Sequence, residues 1–249
     1  MKFRFITLLI FASSMLSFNT DSHKGDQLRY SRVRQAYADK EEEVKSLLLN
    51  RGLEIKGLQL YLRAFKQEKE LELWGRNTSE SQYRLIKTYA VCRTSGKPGP
   101  KRKQGDLQIP EGFYHINRFN PASNFYLSLG LNYPNKSDRI LGVKDNLGGD
   151  IFIHGACVTI GCLPITDAEI KELYVFCIEA VDGGQQKMPV TIFRTILDGA
   201  EYERLKTKYI GDDDKLNLWA DLKKGYDYFN ENKQLPTVGF LFNGRHTLN

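Results

Sequence analysis

A histidine and two cysteines, His154, Cys157 and Cys162, fall within nine residues in the run Ile151-Phe152-Ile153-His154-Gly155-Ala156-Cys157-Val158-Thr159-Ile160-Gly161-Cys162-Leu163-Pro164-Ile165-Thr166-Asp167. An imidazole near a thiol is the minimum set for nucleophilic sulfur chemistry. A free cysteine ionises near pH 8.5, and lowering that value to about 6 would raise the thiolate fraction at neutral pH roughly thirtyfold. A neighbouring imidazolium and amides near a helix start both push in that direction. Gly161 lets the backbone approach a bound carbonyl closely, and the amide of Cys162 with its neighbour is then placed to stabilise an oxyanion. The chemistry these residues predict is acyl transfer, with Cys162 as nucleophile and His154 as the base that takes the thiol proton and returns it to the leaving amine. The second ring nitrogen of His154 needs an acceptor, which the sequence does not identify.

The same residues admit other readings. Cys157 fits a packed small residue, a redox partner of Cys162, or the nucleophile itself. Gly161-Cys162, just before a capped helix, is the better nucleophile. Zinc ligation by His154, Cys157 and Cys162 lacks a fourth ligand, because no Cys-x-x-Cys or His-x-x-x-His completes the set, and no metal or cofactor is expected. His115 reads as a strand residue with a satisfied ring, and His23 and His246 receive no role.

The elements that must position these groups alternate with period two. Leu58, Leu60, Leu62 and Ala64 alternate, then Leu71 and Leu73, then Tyr83, Leu85, Lys87, Tyr89 and Val91, the mark of successive strands. Further strand-like runs cover 113–119, 125–131, Ile151 to His154, 189–193 and 238–242, with a turn at Asn243-Gly244. Thr166-Asp167-Ala168-Glu169 is a capping-box pattern, and Ile170, Leu173, Tyr174, Cys177 and Ile178 continue it at helical spacing. Trp219, Leu222, Tyr226 and Phe229 mark a late amphipathic helix. Between Thr94 and Phe113, glycines and prolines forbid regular structure. A loop this long flanked by strands is expected to be pinned and functional, and its Lys97, Lys101, Arg102 and Lys103 read first as a solvated loop and second as partners for substrate carboxylates. The predicted fold is mainly β with peripheral α-helices.

The chain of 249 residues, 41% apolar and 27% charged, suits one catalytic domain. Three segments are expected: 1–20 as a signal peptide or uncleaved anchor, 21–57 as a helical N-terminal appendage, and 58–249 as the catalytic domain. The first has a basic start, Lys2 and Arg4, and about 12 apolar residues, an h-region length well short of the roughly 20 of a membrane-spanning helix. Export to a periplasm or cell envelope follows, with membrane contact only if the segment stays uncleaved. The net charge of +6 is mild. An exported chain meets wall polymers rather than nucleic acid. Because a nucleophilic thiol must stay reduced, the four cysteines, Cys92, Cys157, Cys162 and Cys177, are expected to form no disulfide.

His154-Gly155 followed by Thr159-x-Gly161-Cys162 resembles the YkuD-type L,D-transpeptidase motif, in particular its YafK-like branch, where the two halves lie close together. Gly105-Asp106 with Pro110-Glu111-Gly112-Phe113-Tyr114, then Tyr126-Leu127-Ser128-Leu129, Tyr133-Pro134-Asn135 and Gly148-Gly149-Asp150, resemble further family segments in the same order, over roughly residues 82 to 194. The resemblance implies a YkuD-like β-rich sandwich or barrel. It implies Cys162 as nucleophile, His154 as base, the Gly161 backbone at the oxyanion, and Gly112, Phe113, Tyr114, Gly155 and Thr159 at the substrate. The implied partners are peptidoglycan stem peptides, or a lipoprotein linked to the wall. Ile160 stands where the wider family has histidine, and Leu163-Pro164 replaces the usual apolar residue and arginine, which leaves the acyl acceptor open between an amine and water. A non-catalytic wall-binding module and a Cys157/Cys162 redox protein are the rival classes.

Overall fold

The computed structural model describes residues 22–249; the expected signal segment lies outside them. Eight strands form one curled mixed sheet: β1 (Leu58–Phe65), β2 (Glu70–Asn77), β3 (Arg84–Ala90), β4 (Gly112–Asn120), β5 (Ser128–Leu131), β6 (Phe152–His154), β7 (Leu163–Pro164) and β8 (Met188–Phe193), in the order β3-β2-β1-β8-β4-β5-β6-β7. Pairing is antiparallel except between β1 and β8 and between β6 and β7. The fold is thus the expected β-rich domain with peripheral helices. Past the end of β3, the Cys92 amide donates to the Pro164 carbonyl at 2.9 Å, so the two ends of the sheet meet.

Alternation along the strands sends their side chains to two layers. One face, with Leu60, Leu62, Val190, Ile192, Ile153 and Leu163, packs on α4 (Asp167–Asp182), whose Ile170, Leu173, Tyr174, Cys177 and Ile178 are fully buried. The capping box that starts α4 is present in full: the Glu169 amide donates to Thr166 Oγ1, and the Thr166 amide donates to Glu169 Oε2. Two helices precede the sheet, α1 (His23–Leu28) and α2 (Ser31–Leu49). Rather than hanging off the domain, α2 packs on α4, and its Val33, Ala36, Tyr37, Val44 and Leu48 belong to the main core. Its charged face made it look like an appendage. The other face of the sheet, with Phe65 and Phe193, packs against Trp219 and Leu222 of α6 (Asp213–Asn232) and Leu205 of α5 (Gly199–Lys208). Short α3 (Lys136–Leu141) and a terminal hairpin, β9 (Val238–Phe240) with β10 (His246–Leu248), complete the fold.

The long loop between β3 and β4 is pinned from beneath. Lys66, at the end of β1, donates to Glu111 Oε1 and to the Ile109 carbonyl, both at 2.8 Å, while Trp219 Nε1 donates to Glu111 Oε2 at 2.7 Å and the Gly99 amide to Glu111 Oε1 at 3.0 Å. Both charges of this pair are buried, and each finds the extra partners that a buried pair requires. Gly99, Pro100, Lys101, Ile109, Pro110 and Glu111 are consequently buried, while Arg93, Thr94, Gly96 and Lys97 before them and 103–105 with Leu107 between them are exposed.

The cysteine loop as candidate active site

Cys162 is the last residue before β7, and His154 is the last of β6. The parallel register pairs Ile153 with Leu163 and His154 with Pro164. Because side chains alternate along a strand, Phe152, His154 and Cys162 share the face opposite the buried Ile153 and Leu163. The two candidate catalytic residues are therefore diagonal neighbours on one sheet face. They share no hydrogen bond: the Cys162 thiol donates to the Asp150 carbonyl at 3.6 Å, and His154 Nδ1 lies 2.5 Å from the Gly155 carbonyl oxygen. Since a carbonyl can only accept, Nδ1 carries the proton and Nε2 is the free base. This supplies the acceptor that the sequence left unnamed.

The surroundings of both groups favour their neutral forms. Phe125 lies over the imidazole with ring centres 4.6 Å apart. Burial lowers the His154 pKa below the usual histidine value, against an opposing contribution from the Gly155 carbonyl. Burial likewise pushes the Cys162 thiol up, assisted by the Asp150 carboxylate and opposed by a backbone hydrogen bond from Phe152 and by the Lys101 ammonium. Both shifts favour thiol and imidazole over thiolate and imidazolium.

The loop from 155 to 162 is held by short polar contacts. The Ala156 amide donates to Asp167 Oδ1 at 2.8 Å. Thr159 Oγ1 accepts from the amides of Gly161 (3.1 Å) and Cys162 (2.8 Å) and donates to the Cys162 carbonyl (2.8 Å). Gly161 has φ +138°, and a β-carbon there would lie 3.0 Å from the Gln108 carbonyl oxygen, so the loop admits only glycine. The amides expected to stand free for an oxyanion are thus engaged in this state: one hydroxyl oxygen already takes both.

Contrary to expectation, the loop contains a disulfide, Cys92–Cys157. The curl of the sheet explains it, since the end of β3 is carried against β7, where Cys92 meets Cys157. Cys162 and Cys177 are free, Cys177 inside α4's buried face. This pairing leaves Cys157 neither a nucleophile nor a redox partner of Cys162.

A cavity of about 380 Å³ opens beside Cys162 and Gly161, walled by the 101–107 and 148–151 loops through Lys101, Gln104, Leu107 and Asp150, with Ile160 at its rim. Lys101 is buried, and its ammonium is held by Asp106 Oδ1 at 2.5 Å and the Lys103 carbonyl at 2.8 Å. Of the residues expected at the substrate, Thr159 braces Cys162 and Gly155 accepts from His154 Nδ1 through its carbonyl. Gly112, Phe113 and Tyr114 do not reach the cavity, because β5 and β6 separate β4 from β7. Phe113 packs on His246, and Tyr114 donates to Asp138 Oδ2 at 3.1 Å. Sequence reasoning assigned no site role to Phe125, Asp150 or Asp167; Asp150, in the Gly-Gly-Asp segment, and Asp167, at a helix start, carried a readable signal, and Phe125 carried none. Among the described residues no group of three or more metal-ligating side chains forms a metal site, and no helix is long and apolar enough to cross a membrane.

A curled sheet carrying a His-Gly strand end and a Thr-x-Gly-Cys loop on its neighbour matches the L,D-transpeptidase catalytic domain family, YkuD, over residues 61–192, and the chain belongs to that family. It is 36% identical over 197 residues to "Putative L,D-transpeptidase YafK" of Escherichia coli K12, covering 78% of this chain and 76% of that protein, with the same figures for the O157:H7 protein. Among solved structures it resembles the helical cell shape determining protein Pgp2 of Campylobacter jejuni, at 17% identity and a TM-score of 0.44 over 80% of each chain.

Proposed function

We propose that the chain is an exported cell-envelope acyltransferase that forms a thioester between Cys162 and the L-centre carbonyl of a peptidoglycan stem peptide. The observation that carries the reading is the placement of Cys162 Sγ at a cavity wall with the His154 Nε2 free on the same sheet face, its tautomer fixed by the Gly155 carbonyl. In the resting state the dyad is open. Binding closes it: the imidazole takes the thiol proton directly or through one water, as catalytic hydrogen bonds commonly tighten on forming the Michaelis complex. A substrate carbonyl that displaces the Thr159 hydroxyl meets the two amides already aimed at one oxygen, the arrangement that an oxyanion needs. Imidazolium then protonates the departing amine, which is a D-amino acid or a linked protein.

A second acceptor resolves the thioester. Leu163 and Pro164 are both buried where the wider family's motif continues with a basic residue, and Ile160 is 78% exposed where it has histidine. No cationic side chain therefore follows Cys162 to orient an incoming carboxylate. That favours water as acceptor, and so a hydrolase that releases wall-linked lipoprotein as the second reading. The test is product analysis by mass spectrometry after incubation with stem peptides and with lipoprotein-linked fragments, wild type beside Cys162→Ala. Transfer or hydrolysis products lost in the variant support the reading; turnover that persists without the Cys162 sulfur overturns it.

A further inference from the structure

Of the four cysteines, Cys177 is sealed in the core, and the other three converge on the loop from 155 to 162. Two of those three, Cys157 and Cys162, sit five residues apart on that one loop. Between them Thr159 folds the chain back, its hydroxyl bonded to the Cys162 amide and carbonyl. Val158 and Ile160 of this segment are 49% and 78% exposed, so their side chains add little packing to the polar contacts that hold it. A disulfide needs its α-carbons within about 4.4–6.8 Å, a separation that a turn of this length readily reaches.

The structure has Cys157 committed elsewhere. Its partner Cys92 stands on the opposite rim of the curled sheet, where its own amide holds the Pro164 carbonyl at 2.9 Å, two residues beyond Cys162. Both Ala156 (φ 63°) and Cys157 (φ 28°) adopt left-handed backbone, unfavourable for residues bearing a β-carbon. The Asp167 carboxylate on the Ala156 amide and the sulfur bridge keep them there.

We propose that Cys92 is a guard residue: by holding Cys157 in a disulfide it keeps Cys162 a free thiol. Without Cys92, Cys157 and Cys162 join. Two S–H bonds are lost and one S–S bond forms, with two protons and two electrons passing to an oxidant such as dioxygen or glutathione disulfide. The inference rests on the acyltransferase reading only for why a free Cys162 matters; its test counts thiols and is independent of turnover.

Wild type, Cys92→Ser, and Cys92→Ser with Cys157→Ser are equilibrated with glutathione disulfide, alkylated under denaturing conditions, and mapped by mass spectrometry with and without prior treatment by a dithiol reductant. Expected are two free thiols in wild type, one in Cys92→Ser with a Cys157–Cys162 cross-link, and two in the double variant. Reductant raises Cys92→Ser to three, and it restores whatever acyl-enzyme formation the double variant retains. Three free thiols in oxidised Cys92→Ser, or a wild-type protein with Cys92 and Cys157 both reduced, overturns the proposal. If Cys92→Ser does not fold, wild type reduced in its native state and reoxidised gives the same decision: Cys92–Cys157 must return with Cys162 reactive, and a Cys157–Cys162 product contradicts the guard role. Correct thiol counts without any turnover would leave this inference standing and remove the acyltransferase reading.

Discussion

His154 Nδ1 lies 2.5 Å from the carbonyl oxygen of Gly155, its own neighbour in the chain. The contact selects the tautomer with Nε2 unprotonated, while burial under Phe125 lowers the pKa. A base of this kind is active when neutral. The acid limb of kcat/KM is expected to have its midpoint below the ordinary histidine value of about 6.5. His154→Gln should lower kcat/KM by at least about a hundredfold, the typical lower bound for a general base. An acid limb centred clearly above 6.5 would mean that imidazolium is stabilised and that the burial argument is wrong.

Thr159 Oγ1 satisfies two amides that otherwise lack an acceptor. Thr159→Ser keeps the hydroxyl and is expected to cost less than about 1 kcal/mol in urea denaturation. Thr159→Val keeps the shape, strands the Gly161 and Cys162 amides, and should cost about 1–3 kcal/mol. Equal stability of the two variants would show that the hydroxyl does not hold the loop.

Glu111 is the carboxylate under the cavity loop, joined to Lys66, Trp219 and Gly99. Glu111→Ala leaves the Lys66 charge buried and alone, a change expected to cost about 3–5 kcal/mol. Replacing Lys66 and Glu111 together with methionine and leucine should recover most of that loss. A double variant no more stable than Glu111→Ala would argue against the unpaired charge as the cause.

Asp138 caps α3, accepts from the Tyr114 hydroxyl and faces the Arg102 guanidinium. Burial pushes its pKa up to about 6, against the Asn135 amide and Arg102. A carboxyl with a raised folded-state pKa binds its proton more tightly folded than unfolded, so protonation stabilises the fold as pH falls from about 6 towards 4. The stability of wild type relative to Asp138→Asn should therefore improve by about 1 kcal/mol between pH 7 and pH 5. A difference that stays constant, or moves the other way, contradicts the assignment.

Much of this was legible from residue order. Period-two alternation in Leu58 to Ala64 and Tyr83 to Val91 exposed the strands, although β1 is buried on both faces, and Thr166 with Glu169 announced α4. What escaped lies in contacts between residues distant in sequence. Cys92 and Cys157 are 65 residues apart, and only the meeting of the sheet's two ends brings them together. His246 gains its environment from Asp221, which accepts its backbone amide at 2.8 Å, across a hairpin whose docking no local pattern encodes. The segment Lys136–Leu141 is too short for a helical period to show. Phe113 and Tyr114 read as cleft residues by motif, yet two intervening strands carry them away.

The central claim is a thioester on Cys162. Its most direct measurement is intact-mass and peptide mapping after a brief incubation with a stem peptide, quenched in acid, for wild type, Cys162→Ala and Cys162→Ser. The expected result is a mass increase equal to the acyl fragment, confined to the peptide containing Cys162, labile to hydroxylamine and missing from Cys162→Ala. An acyl adduct at another residue, or substrate turnover in wild type with no dependence on the Cys162 sulfur, would contradict it.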